Sequence, residues 1–364
     1  MKKDVFFCRA RGYASCLEMA LHGEDVPKSV YENLIEAVDG ALPLMHRYIA
    51  LRKKVLGLKE QHMYDIYMPL VENADIGVSY EEAYDIVVEG LAPLGKDYQA
   101  LLRRAKDERW IDVCETEGKK SGAYSTGSYD THPYVLLNYQ RTTNEIFTIA
   151  HEMGHSIHTY KSSAAQPYPK ADYTIFLAEI ASTVNEVLLL KHLLKSAREK
   201  GDKKTEKFLL NYYMDMIRTT LFRQSQFAEF EQIVHKMAED GEPLTDENLC
   251  ATYYGLNKKY YGDAIIHDKE ISYEWARIPH FYRSFYVYKY ATGIISAISI
   301  AHRVLTEGES AVKDYFSFLS GGCCTDPVSI LKRAGVDLTA KAPFETAMKE
   351  FEETLEAFEK IDER

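Results

Sequence analysis

Residues 141–160 read Arg-Thr-Thr-Asn-Glu-Ile-Phe-Thr-Ile-Ala-His-Glu-Met-Gly-His-Ser-Ile-His-Thr-Tyr, and this stretch decides the fold around it. Thr142 and Glu145 stand at capping-box spacing, and Ile146, Phe147, Ala150 and Met153 give one apolar face, so a helix starts near Thr143. On that helix His151 and His155 are i and i+4. Their side chains lie one turn apart on the same face, the spacing at which two imidazoles can share one Zn²⁺. Glu152 follows the first histidine and points off the shared axis, where it cannot readily ligate but can accept a proton from water.

A zinc that does chemistry takes three protein ligands and keeps one position open. Glu179 is the candidate for the third. It interrupts Phe176-Leu-Ala-Glu-Ile-Ala-Ser-Thr-Val-Asn-Glu-Val-Leu-Leu-Leu190, a helix otherwise too apolar to face water, where an unpaired carboxylate is costly. Glu186 lies two turns further along the same face, placed to accept the outer N–H of a ligating histidine. The intervening 161–170, with Pro167 and Pro169, reads as a loop that turns the second helix back against the first. A longer motif with a third histidine needs Gly three residues after His155 and His six after it. This chain has His158 and Lys161 there, so His158 is read as a packing or substrate-side residue.

Outward from this core, apolar residues three and four apart predict helices over 30–58, 80–104, 205–238, 283–305 and 344–358. Pro and Gly mark turns between them without forming a linker. Residues 117–140 differ: Gly, Ser and Thr give way to Pro133-Tyr-Val-Leu-Leu-Asn-Tyr139, a loop or hairpin followed by a short strand. That strand, Tyr134 to Tyr139, is expected to pair with an extended peptide. Gly122 and Gly127 either let its backbone approach or serve as turn glycines.

At 364 residues, 46% hydrophobic and 27% charged, the chain is a folded globular protein with ample core. Lys+Arg 44 against Asp+Glu 55 leaves −11 and no basic stretch, which argues against nucleic acid or anionic lipid as partner. No apolar run is long enough for a membrane span, and Asp4, Arg9 and Arg11 interrupt anything resembling a signal peptide. Six scattered cysteines (Cys8, Cys16, Cys114, Cys250, Cys323, Cys324) read as reduced thiols in a cytoplasmic protein.

A second aromatic-rich stretch runs Trp275-Ala-Arg-Ile-Pro-His280-Phe-Tyr-Arg-Ser-Phe-Tyr286-Val-Tyr-Lys-Tyr290-Ala-Thr-Gly293. Tyr286 and Tyr290 are i and i+4, with His280 one turn before them. They can face a cleft as hydrogen-bond donors or form an ordinary packing stripe.

Taken in order, HEMGHSIH, FLAEIASTVNE and IPHFYRSFYVYKYATG resemble peptidase family M3, of the oligoendopeptidase F type. The likeness extends from DVFFCRARGYASCLEMAL through GAYSTG, HPYVLLNY and LFRQSQFAEFE towards the C-terminus. The resemblance implies a mainly α fold: a large helical zincin catalytic domain with a small β-sheet beside the zinc helix and a deep substrate channel. It implies one Zn²⁺ per chain on His151, His155 and Glu179, with Glu152 as general base. Its transition-state donors fall on His280, Tyr286 and Tyr290, although Tyr282 and Tyr288 are close enough to leave the match of individual tyrosines open. The implied activity is endopeptidase cleavage of short unstructured peptides. Residues 1–364 read as the M3-type catalytic domain, with the family's N-terminal helical region expected to be absent and a homodimer among the expected states. Two alternatives remain open: a zinc carboxypeptidase, with Arg283 holding the substrate's terminal carboxylate, and a catalytically silent peptide-binding fragment.

Overall fold

Apolar residues at helical spacing carry most of the chain into helix. The computed structural model describes residues 1–71 and 77–362. Its α-helices are α1 (Lys2–Ala10), α2 (Cys16–His22), α3 (Lys28–Val55), α4 (Tyr80–Gly90), α5 (Lys96–Asp107), α6 (Thr143–Ala165), α7 (Tyr168–Ala171) and α8 (Ile175–Lys200). They continue with α9 (Lys203–Ile217), α10 (Arg223–Asp240), α11 (Asp246–Tyr261), α12 (Tyr288–Glu307), α13 (Glu309–Leu319), α14 (Pro327–Arg333) and α15 (Ala342–Asp362). Among the described residues there are three short strands, β1 (Ile111–Asp112), β2 (Tyr124–Thr126) and β3 (Tyr134–Leu136). The mainly helical class with one small sheet is as expected. Among the described residues no helix is long and apolar enough to cross a membrane.

The chain divides into two compact units, one of Met1–Glu72, Leu210–Thr292 and Leu338–Arg364, the other of Asn73–Leu209 and Gly293–Asp337. In the first, α3 packs against α10, α11 and α15 and passes Pro43 without breaking. Tyr31 is fully buried and donates to the Ala228 carbonyl at 2.6 Å, tying α3 to α10. The helix expected over 205–238 is interrupted by a wide π turn, Arg218–Phe222, that buries Arg218 with its guanidinium on Asp215 at 2.9 Å. The helix expected over 283–305 starts only at Tyr288, because Phe285 is left-handed (φ 56°) and cannot continue a right-handed turn.

In the second unit the helix expected over 80–104 is two helices, α4 and α5, parted by a 3₁₀ turn at Ala92–Leu94 that contains Pro93. α6 begins at Thr143, with the Thr142 hydroxyl accepting from the Glu145 N–H, and runs on to Ala165, further than the loop expected from residue 161. It packs along α8, which is buried on nearly all sides, and Gly154 marks the closest approach. A Cβ on Gly154 would lie 2.5 Å from Ser182 Cα and 2.7 Å from the Ala181 carbonyl oxygen. Fully buried Asn185 completes the joint: its amide donates to the Ala150 carbonyl (2.9 Å) and its oxygen accepts from Tyr98 (2.8 Å).

The sheet order is β1-β3-β2, with β1 parallel and β2 antiparallel to β3. The strand read from sequence is therefore the middle one. Val135 and Leu137 donate to the Trp110 and Asp112 carbonyls, each at 2.8 Å, and β2 covers the other edge. It has no free edge for a peptide, which corrects the expectation for Tyr134 to Tyr139. The edges are β1 and β2, and β2 is the one packed on α6, where the Ser125 and Ser156 hydroxyls meet at 2.9 Å. Gly122 leads into it as a turn glycine (φ 93°), and Gly127 leaves room for Thr159.

The α6–α8 contact leaves no space for one added methyl, and the atoms it would strike are backbone. Gly154→Ala should destabilise the protein by about 1–3 kcal/mol, read as a lowered denaturant midpoint, whereas Gly40→Ala, where a Cβ would meet nothing within 4 Å, should not. Equal midpoints for both variants would rule out a tight helix contact at Gly154.

Candidate active site

His151 and His155 project from α6 and Glu179 from α8 onto one point. The two Nε2 atoms are 3.1 Å apart, and Glu179 Oε2 is 3.6 Å from each. One ligand atom from each of the three residues lies within 4.8 Å of the others. On the far side of His151, Nδ1 is hydrogen-bonded to the Glu186 carboxylate. With Nδ1 committed to Glu186, Nε2 is the ring atom that faces Glu179 and His155. The spacing of Glu179 and Glu186 on one face of α8 thus meets His151 from two sides.

The charges in this cluster oppose one another. Burial works against protonating His151, but the Glu186 carboxylate, helped by Glu152 and Glu179, outweighs it and pushes the imidazole up to about 9. Burial, with His151 alongside, pulls His155 down to about 3. Two imidazoles at 3.1 Å cannot both hold a proton on Nε2, so one rises while the other falls. Burial also raises Glu179, against the opposing charge of His151. Two imidazole nitrogens and a carboxylate oxygen converging among three acids fit a divalent cation.

Glu152 is 6% exposed, and its Oε2 has no hydrogen-bond partner. Burial lifts its carboxyl to about 6, with His151 and a hydrogen bond from the Ser125 backbone pulling the other way. His158 is wholly buried, stacked on Tyr173 at 3.6 Å between ring centres and close to Phe318, which settles it as a packing residue.

A second cluster belongs to the first unit. The Tyr290 hydroxyl lies 3.3 Å from His280 Nε2 and 3.5 Å from the Tyr286 hydroxyl, and the His280 and Tyr286 rings stack at 5.8 Å. Among the neighbouring tyrosines, Tyr282 is 91% exposed, whereas Tyr288 is buried against Tyr31 with its hydroxyl towards Glu24. Geometry therefore groups Tyr286 and Tyr290, and neither Tyr282 nor Tyr288, with His280. Arg283 is exposed. Sequence reasoning passed over Asn185 and Ser125. Asn185 was detectable as an amide inside an apolar helix; Ser125, in a Ser/Thr/Gly loop, carried no signal.

Residues 2–350 match peptidase family M3. The chain is 49% identical over 361 residues to oligopeptidase PepF of Bacillus subtilis, covering 99% of this chain and 53% of that protein. It is 47% identical to the chromosomal oligoendopeptidase F of Lactococcus lactis subsp. cremoris, covering all of this chain and 60% of that one. The crystal structure of oligoendopeptidase F from Enterococcus faecium superposes with a TM-score of 0.78 at 37% identity, over 99% of this chain and 58% of that one. The chain thus spans little more than half the length of the relatives it matches. A match running nearly end to end has one explanation: the chain belongs to peptidase family M3.

Proposed function

We propose that residues 1–364 form the catalytic portion of a zinc-dependent endopeptidase that hydrolyses internal bonds of short, unstructured peptides. The observation that carries this reading is the convergence of His151, His155 and Glu179 beside a buried Glu152 with an uncommitted oxygen. Bound by those three residues, one Zn²⁺ per chain would polarise a peptide carbonyl and make water more acidic. The rest falls to side chains. Glu152, raised to about 6, is ionised at neutral pH yet more basic than an ordinary carboxylate. It takes a proton from the attacking water on Oε2 as the oxygen bonds to the carbonyl carbon. It returns the proton to the amide nitrogen as the C–N bond breaks. Glu186 holds His151 in the tautomer and orientation that ligation requires. His280, Tyr286 and Tyr290 are the donors to the developing oxyanion that the family resemblance assigns. β2, the edge strand packed on α6, offers backbone groups to an extended peptide without regard to its side chains. The cytoplasm is the compartment we assign, supported by six free thiols.

Incubating the zinc-loaded chain with peptides of several lengths and identifying products by mass spectrometry tests the reaction. Internal cuts confined to short peptides are expected. Single residues released from the C-terminus would replace this reading with a carboxypeptidase, and saturable binding without cleavage at full zinc occupancy would replace it with a peptide-binding module. Glu152→Gln should keep one zinc per chain while kcat falls on the order of 10²–10⁴-fold. Glu179→Ala should lose both metal and turnover, and full zinc occupancy in that variant would remove Glu179 from the ligand set. Glu186→Ala should weaken zinc binding about 10–100-fold in chelator competition; unchanged affinity would make its contact with His151 incidental.

A further inference from the structure

Phe285 has the least comfortable backbone in the second aromatic stretch. Its φ of 56° puts a bulky aromatic residue in the left-handed region, where Gly and Asn are at home. Such a conformation persists only if its surroundings hold it. Two contacts do so. The ring is 3% exposed, lying 4.5 Å from the His235 ring and 6.3 Å from that of Tyr31. The peptide N–H donates to Glu231 Oε1 at 2.9 Å.

Glu231 itself is anomalous. It sits on α10 with no exposed surface, and its second oxygen has no hydrogen-bond partner. Burial pushes its carboxyl up to about 8, with the Phe285 N–H and Lys289 pulling it back. A buried carboxyl that makes a single hydrogen bond is an expensive way to fill space, which an apolar side chain would fill at no such cost. What Glu231 does is hold one peptide group. That peptide lies between His280 and Tyr286, and the reversal at Phe285 turns the chain so that Tyr286 stacks on His280 and meets Tyr290.

We propose that Glu231 is a positioning residue for the His280, Tyr286 and Tyr290 cluster: by accepting the Phe285 N–H it fixes the left-handed turn that brings Tyr286 against His280. The effect on turnover rests on the function proposed above; the effect on the turn does not. An acceptor is what the turn needs, so Glu231→Gln, which keeps a carbonyl oxygen at the same reach, should behave like the parent protein. Glu231→Met removes the acceptor and conserves the volume. Met ends the cost of burying the carboxyl but strands the Phe285 N–H, so folding of the Met variant is checked by its melting temperature before it is assayed.

The full chain, zinc-loaded and carrying 3-fluorotyrosine at position 286, is compared as Glu231, Glu231→Gln and Glu231→Met. With Met, kcat on a short quenched-fluorescence peptide should fall about 10–100-fold while KM stays within about threefold. The ¹⁹F resonance should move towards that of the free amino acid. Gln should retain both kcat and resonance. Met matching the parent in kcat and ¹⁹F shift, or Gln losing as much as Met, would overturn the proposal. If the parent protein cleaves no peptide, the proposed function fails, and the ¹⁹F comparison still decides the turn. A measurement on the unsubstituted chain guards against a Met variant that does not fold: the Phe285 amide should exchange at least about 100-fold more slowly than in an unstructured peptide. Exchange at the unstructured rate would also overturn the assignment.

Discussion

The approach of α6 to α8 at Gly154 is the constraint on which the metal-binding geometry depends. Without a side chain at that position, α6 lies directly on the Ser182 backbone, closer than interdigitating side chains would allow. Glu179 and Glu186 stand three residues before and four after Ser182, one turn to either side, so the face of α8 that meets Gly154 also carries both carboxylates. Asn185 fixes the register by joining α8 to the Ala150 carbonyl, next to the first histidine. The donor geometry is thus built into the rigid joint of two helices, where angular error is small, and does not depend on loops.

That joint concentrates charge at a cost. Glu152, Glu179 and Glu186 surround two imidazoles, and burial raises both Glu152 and Glu179. One protonated imidazole cannot balance three acids, and burial, with the first imidazole alongside, keeps the second neutral. A cation among their partners would relieve the repulsion between the acids. Gathering three acids on the seam of two helices makes sense as a binding site and poor sense as packing.

Much of this is legible in the sequence, for a simple reason. His151, His155, Glu179 and Glu186 are polar residues at helical period inside apolar helices, and helical geometry converts such spacing directly into a shared face. The three-stranded sheet was less legible. β1 is only Ile111–Asp112, too short to carry a period-2 pattern, and without it β3 looks like an edge. The start of α12 was misplaced because 283–287 has helical apolar spacing, and nothing in the letters marks Phe285 as left-handed. Propensity reasoning assigns that conformation to Gly or Asn; here tertiary contacts from Glu231, His235 and Tyr31 impose it.

Two buried glutamates invite comparison because they share a pattern of bonding and differ in surroundings. Glu231 accepts from the Phe285 N–H, Glu152 has the Ser125 backbone beside it, and each leaves Oε2 without a partner. Both are raised by burial, to about 6 and about 8. Glu152 retains a trace of exposure and stands next to the two histidines, a setting suited to the proton transfer proposed for it. Glu231 has none, and the groups around it are the Phe285 peptide, Lys289 and Asp4. A carboxyl in the first setting can exchange protons with a substrate, while the same carboxyl sealed in the second can only hold the backbone that touches it.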